Sequence, residues 1–270
     1  MLTTVLTHEF RRTRFMLGVI AGIAAIIVLG ATSLMLLFAP QIGALLAFAT
    51  AVSLMPIVLI ALVIDYWRSA YGRGGYLTHS YPVAGSVIYG ARLLYGGLVV
   101  IGTALLSVVL LAPPALLLAR AVAPPGVGAV DYTLTVLGDL LGALTPLTWV
   151  VLAAAIVGSG VFYLVQYYFA ASIGSEGRLA ALGPGGPLLV WFALYLLTQV
   201  LTFVAVLAVP LGITMSDGRL GLVGVDYLAS MTSGADAAAM PFGVIPLLVV
   251  LTAVLVWRTA HSWNRKVTLR

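Results

Sequence analysis

The residues with most chemistry to offer are gathered in one polar stretch, which opens Asp65-Tyr-Trp-Arg-Ser-Ala-Tyr-Gly-Arg and continues through Tyr76, His79, Tyr81 and Pro82 to Arg92. Tyr66, Trp67, Arg68, Tyr71 and Arg73 supply large amphipathic rings and planar charge, the side chains that dominate the energy of protein interfaces. The same types also collect as an aromatic belt at membrane boundaries, and the residues themselves leave both readings open. Asp65 is expected to pair with Arg68 or Arg92.

Other chemistry is sparse. His8, His79 and His261 stand far apart and lack the close His/Asp/Glu spacing of a metal site, so no metal is expected. With no cysteine, the chain has no disulfide, thiolate nucleophile or cysteine-held metal. It has no Gly-x-x-x-x-Gly-Lys-Ser/Thr loop, and its single lysine is Lys266, so it does not itself cradle ATP in the usual way. Tyr195, Gln199 and Thr202 stand at i, i+4 and i+7, one face of a helix that either lines a path or bonds a neighbouring helix. Gly18-x-x-x-Gly22 and Gly138-x-x-x-Gly142 permit close helix approach, but the spacing is common in a chain with 29 glycines.

The elements that carry these residues follow from composition. With 62% hydrophobic and 8% charged residues and a mean hydropathy of +1.16, the chain has too little polar surface to cover a soluble globule. It is expected to be an all-α polytopic membrane protein, a single transmembrane domain over 1–270. Six apolar stretches, 15–38, 42–64, 93–118, 147–169, 188–210 and 241–259, are each long enough to cross roughly 30 Å of hydrocarbon. The first exceeds a signal-peptide core and reads as a retained span. Ala39 to Gln41 leaves room only for a turn, making the first two spans a hairpin. Pro113-Pro114 marks either a kink or the end of the third span.

Leu2, Val5, Leu6 and Phe10 recur at helical spacing before the first span, so 1–14 reads as an interfacial helix with arginines toward lipid phosphates. Leu134, Leu137, Leu140, Leu141 and Leu144 give 132–145 an apolar face, either as a separate amphipathic helix or as the outer end of the fourth span. The 213–240 segment is long enough for one or two short helices folded back over the bundle.

Orientation follows from the basic residues. Arg120 and Arg219 alone fall on one side, and the other eleven Lys and Arg fall on the other, which puts both termini in the cytoplasm. The net charge of +5 is thus a topology signal spread over several loops, and no nucleic-acid partner is expected.

Taken in order, a basic N-terminal segment, a tight hairpin, a polar cytoplasmic loop at 65–92, a long external excursion and no nucleotide motif resemble the type 2 ATP-binding-cassette export permeases. The most specific portion is Gly74-Gly-Tyr-Leu-Thr-His-Ser-Tyr-Pro-Val83 followed by Ile88, Arg92 and Leu93-Leu94. The resemblance implies a permease subunit in a bacterial plasma membrane, paired with a second permease, identical or related. A separate ATPase subunit would hold ATP and Mg, with no cofactor in this chain. Tyr66 to Arg73 would form the coupling helix docked on that ATPase, and Gly74 to Pro82 would return to the bilayer. The alternatives are an ion-coupled secondary transporter, disfavoured because no carboxylate sits at the centre of a span, a membrane-embedded lipid-modifying enzyme, for which no convergent acid/base set is visible, and a non-transporting subunit.

Overall fold

The computed structural model describes residues 2–37, 39–72, 75, 83–216, 218–233 and 239–265. Nine α-helices are found among them, α1 Leu2–Leu37, α2 Pro40–Tyr71, α3 Gly85–Leu110, α4 Ala112–Val122, α5 Ala129–Gly142, α6 Pro146–Ile173, α7 Gly185–Ala208, α8 Tyr227–Ser233 and α9 Val244–Arg265. Six helical spans are long and apolar enough to cross a membrane, with α3 and α4 together counting as one. The all-α polytopic architecture read from composition is therefore present. The chain divides into two compact units, one of residues 1–65 and 91–143, the other of 66–90 and 144–270.

In the first unit, α1 is one unbroken helix of 36 residues, and the expected division into an interfacial helix over 1–14 and a span from 15 is absent. The reason lies in its inward face. Glu9, Thr13, Ala24, Val28, Ala31 and Met35 are all buried and recur at helical spacing, so one stripe runs from the polar segment through the apolar one. The hairpin to α2 is tight because Pro40 opens α2, where its missing N–H costs nothing, and because Gly43 has no side chain. A Cβ there would come within 2.5 Å of the Ala31 carbonyl oxygen. Val28, Ala31 and Ala47 form the small-residue core beneath, with Leu110 against them. Ser107 Oγ also donates to the Ala51 carbonyl (2.9 Å).

Pro113 and Pro114 end α3 and start α4, because neither ring nitrogen can donate to the preceding turn. The Leu111 N–H is shared between the Ser107 and Val108 carbonyls, and helical bonding resumes at Ala115. The leucine-faced segment forms a helix of its own, α5, with no buried residue, and Leu134, Leu137, Leu140 and Leu141 are exposed.

In the second unit, α6 lies against α7 and α9. Thr145 caps α6 by accepting from the Thr148 N–H, and Pro146 follows at its first turn. The return to α7 is tight. A Cβ on Gly186 would lie 2.2 Å from the Gly174 carbonyl oxygen, and Gly183 has φ +56°, a conformation costly for any side chain.

The 213–240 excursion differs from expectation in kind. It begins as an antiparallel hairpin, β1 Leu211–Ser216 with β2 Arg219–Gly224, and the short β3 Met240–Pro241 pairs with the other side of β1. The short α8 lies between β2 and β3 in the chain. The register runs from Leu211↔Gly224 to Ser216↔Arg219, with only two positions between the strands and Gly218 at φ +71°. The Gly218 carbonyl accepts from Thr145 N–H (3.1 Å) and Thr148 Oγ1 (3.0 Å), which fastens the turn to the start of α6.

Candidate functional site: the polar end of α2 and two charge clusters

The predicted coupling residues occupy the last turns of α2 rather than a separate helix. Tyr66 is 1% exposed, so it belongs to the interior of its unit. Its hydroxyl meets Ser172 Oγ of α6 (2.7 Å) and accepts from Trp263 Nε1 of α9 (2.7 Å). Its ring stacks on Tyr168 with centroids 4.0 Å apart and planes 9° from parallel. Tyr66, Ala171 and Ser172 are all buried.

Trp67 is half-buried and donates to Ser175 Oγ (3.1 Å). Tyr71, also half-buried, meets Tyr66 and Trp263 edge-on, at 6.2 and 6.1 Å between centroids. Arg68 is exposed, and Arg73 lies outside the described residues. Of the five residues predicted to dock, three therefore knit α2 to α6 and α9, and Arg68 faces outward.

Close by in the same unit, Glu176 accepts a two-pronged contact from Arg258 of α9, Nη1 to Oε1 at 3.2 Å and Nη2 to Oε2 at 3.0 Å. Ser262, one turn further along α9, donates to Glu176 Oε1 (2.5 Å). At the start of α3, the Ser86 N–H donates to Asn264 Oδ1 (2.9 Å). Gly85 there lies so near α9 that a Cβ would fall 2.4 Å from the Trp263 carbonyl oxygen. The polar ends of α2, α3, α6 and α9 are thus bound to one another.

A second cluster lies wholly in the first unit. Glu9, 4% exposed, receives Arg92 Nε (3.1 Å) and both terminal nitrogens of Arg12 (2.5 and 3.2 Å). Arg12 also reaches Asp65 (2.5 Å). Asp65 therefore pairs with Arg12, where Arg68 or Arg92 was expected. Arg12 lies outside the 65–92 loop, and only the folding of α1 beside α2 brings it near. One turn deeper, Thr13 Oγ1 meets the Tyr95 hydroxyl (2.5 Å). Two carboxylates and two guanidiniums cancel, which is how charges survive burial at a membrane boundary. The local signal was Glu9-x-x-Arg12 at i, i+3. The partners Asp65 and Arg92 had none.

The predicted path residues point away from their unit's interior. Tyr195 and Gln199 are exposed and Thr202 is half-buried. Tyr195 stacks with Trp191 (6.0 Å). The polar link between helices is instead Gln166 Nε2 to Thr198 Oγ1 (3.3 Å). A Cβ at Gly18, Gly22, Gly138 or Gly142 would meet nothing within 4 Å, so neither glycine pair serves close packing within the described residues. His8 is exposed, His261 lies by the Trp257 ring (6.1 Å), and His79 is outside the described residues. No group of three potential metal-ligating His, Cys, Asp or Glu residues occurs among the described residues.

Comparison with protein-family models, curated proteins and solved structures gave no match. The fold and the side-chain geometry are what a functional reading must rest on.

Proposed function

We propose that the chain is the permease subunit of an ATP-binding-cassette exporter in a bacterial plasma membrane, driven by a separate ATPase subunit that acts on the polar connection after α2. The order of sequence features supports this reading, and one structural observation carries it. The end of α2 is held to both α6 and α9 by the buried Tyr66, with Trp67 and Tyr71 beside it. A push on the 65–82 connection would enter two further helices at once, since interior packing is stiff and transmits strain. Arg68, exposed on the last turn of α2, is the docking contact this reading requires, with Arg73 beyond it. Tyr66, Trp67 and Tyr71 then take the role of a rigid mount. A second permease, identical or related, would complete the path. Tyr195, Gln199 and Thr202 would face it, because their own unit leaves them largely uncovered.

The test is purification of the full chain from its native membrane in mild detergent, followed by identification of any co-purifying ATPase. The expected result is a nucleotide-hydrolysing partner that Arg68→Glu with Arg73→Glu releases. Absence of an ATPase, or an association and hydrolysis unchanged by the double reversal, refutes the proposal.

A further inference from the structure

Within the first unit, α1, α2 and α3 enclose a half-open apolar groove of ≈ 190 Å³. Leu54, Val58 and Thr103 form its buried floor, while Leu17 and Val99 are side walls. Thr103 Oγ1 is spent on the Val99 carbonyl (2.8 Å), so the floor's hydroxyl demands no water or polar ligand. Gly102 stands at the mouth, where a Cβ would meet nothing within 4 Å. A glycine inside a helix costs about 0.5–1 kcal/mol relative to alanine, and no neighbouring atom requires one here. The volume slightly exceeds a cavity of about 150 Å³ that stays dry and takes a benzene-sized apolar group.

Each of the three helices passes from polar to apolar in the same direction toward this groove. On α3 the order is Arg92, Tyr95, Val99, Gly102, and on α2 it is Asp65, Val58, Leu54. On α1, Arg14, Leu17 and Ala21 stand at i, i+3 and i+7, one stripe whose apolar part is the groove wall. Arg14 is exposed and makes no ion pair among the described residues, unlike Arg12 and Arg92, whose charges are balanced by Glu9 and Asp65. The groove is therefore an apolar slot with an exposed arginine, in no ion pair among the described residues, a single helical turn beyond its wall.

The geometry points to a binding site for an anionic phospholipid of the surrounding bilayer, with one acyl chain along Leu17, Val99 and Gly102 and its phosphate at Arg14. The inference is independent of any ATPase.

The cysteine-free chain makes the test direct. Leu98, 55% exposed and one turn before Gly102, is changed to cysteine and labelled with bimane, and Ile26, 71% exposed, is the control site. The full chain is reconstituted in phosphatidylcholine vesicles titrated with doxyl-labelled phosphatidylglycerol or doxyl-labelled phosphatidylcholine. At Leu98→Cys, quenching by phosphatidylglycerol saturates at a mole fraction about fivefold lower than by phosphatidylcholine, the equivalent of about 1 kcal/mol for one arginine near an anionic head. At Ile26→Cys it rises in proportion to mole fraction for both lipids. Arg14→Gln removes the preference, and Gly102→Leu, which projects into open space, removes saturation. Equal, proportional quenching at both sites overturns the inference, as does a Gly102→Leu protein that quenches like the parent.

Discussion

Removing the carboxylate of Glu9 tests how strongly the charge cluster in the first unit is coupled. Arg92 is 3% exposed, and Glu9→Leu takes from it the Glu9 contact at 3.1 Å while leaving Arg12 with Asp65. Removing one partner of a buried ion pair costs about 3–5 kcal/mol. Arg92→Met is milder, about 1–3 kcal/mol, because Arg12 still forks Glu9. In the double variant the surviving Arg12–Asp65 pair is neutral, so the combined loss falls short of the sum of the single losses by roughly 2 kcal/mol. With about 2–4 °C per kcal/mol for a chain of this size, Glu9→Leu lowers the melting midpoint by roughly 6–20 °C, and adding Arg92→Met lowers it by little more. The assay is retention of the monodisperse peak after heating in detergent, read for the parent, both singles and the double. Single effects that add within about 0.5 kcal/mol, or a Glu9→Leu shift below about 2 °C, refute the reasoning.

Tyr66→Phe removes the hydroxyl shared by Ser172 and Trp263 and lowers stability by about 1–3 kcal/mol in the same assay, whereas Ser172→Ala costs less because Trp263 keeps its acceptor. Gly174→Ala drives a Cβ to 2.3 Å from Pro187 N and sharply reduces the folded yield, while Gly30→Ala, which meets nothing within 4 Å, leaves the yield at least equal. Thr148→Val deletes the bond to the Gly218 carbonyl and costs about 1 kcal/mol, read as faster amide exchange across β1 and β2.

Hydropathy displayed the spans because each must be apolar over roughly 20 residues, a constraint of the solvent more than of the fold. The hairpin turn at Pro40 and the break at Pro113-Pro114 were equally visible, since proline acts locally. The β1–β2 hairpin was marked only by Asp217-Gly218 between Leu-, Val- and Ile-bearing stretches, a short signal set within a glycine- and serine-rich segment that also suited helices. Pairing of charges was out of reach for a different reason. Glu9 and Arg92 are 83 positions apart, and nothing in either neighbourhood names the other. For Tyr66, amphipathic chemistry suits a docking anchor and a buried mount alike, and only the presence of Ser172, Tyr168 and Trp263 around it decides.

An unbroken α1 also has a mechanical meaning. Thirty-six residues at about 1.5 Å each make a rod of roughly 54 Å, well beyond a hydrocarbon layer of roughly 30 Å. With no hinge between the polar and apolar parts, a 10° tilt about one end would sweep the other through roughly 9 Å on that length. Because Glu9, Arg12 and Thr13 tie this rod to α2 and α3, a tilt of α1 would carry its neighbours with it, and a probe near Thr3 would register the movement at the far end of the lever.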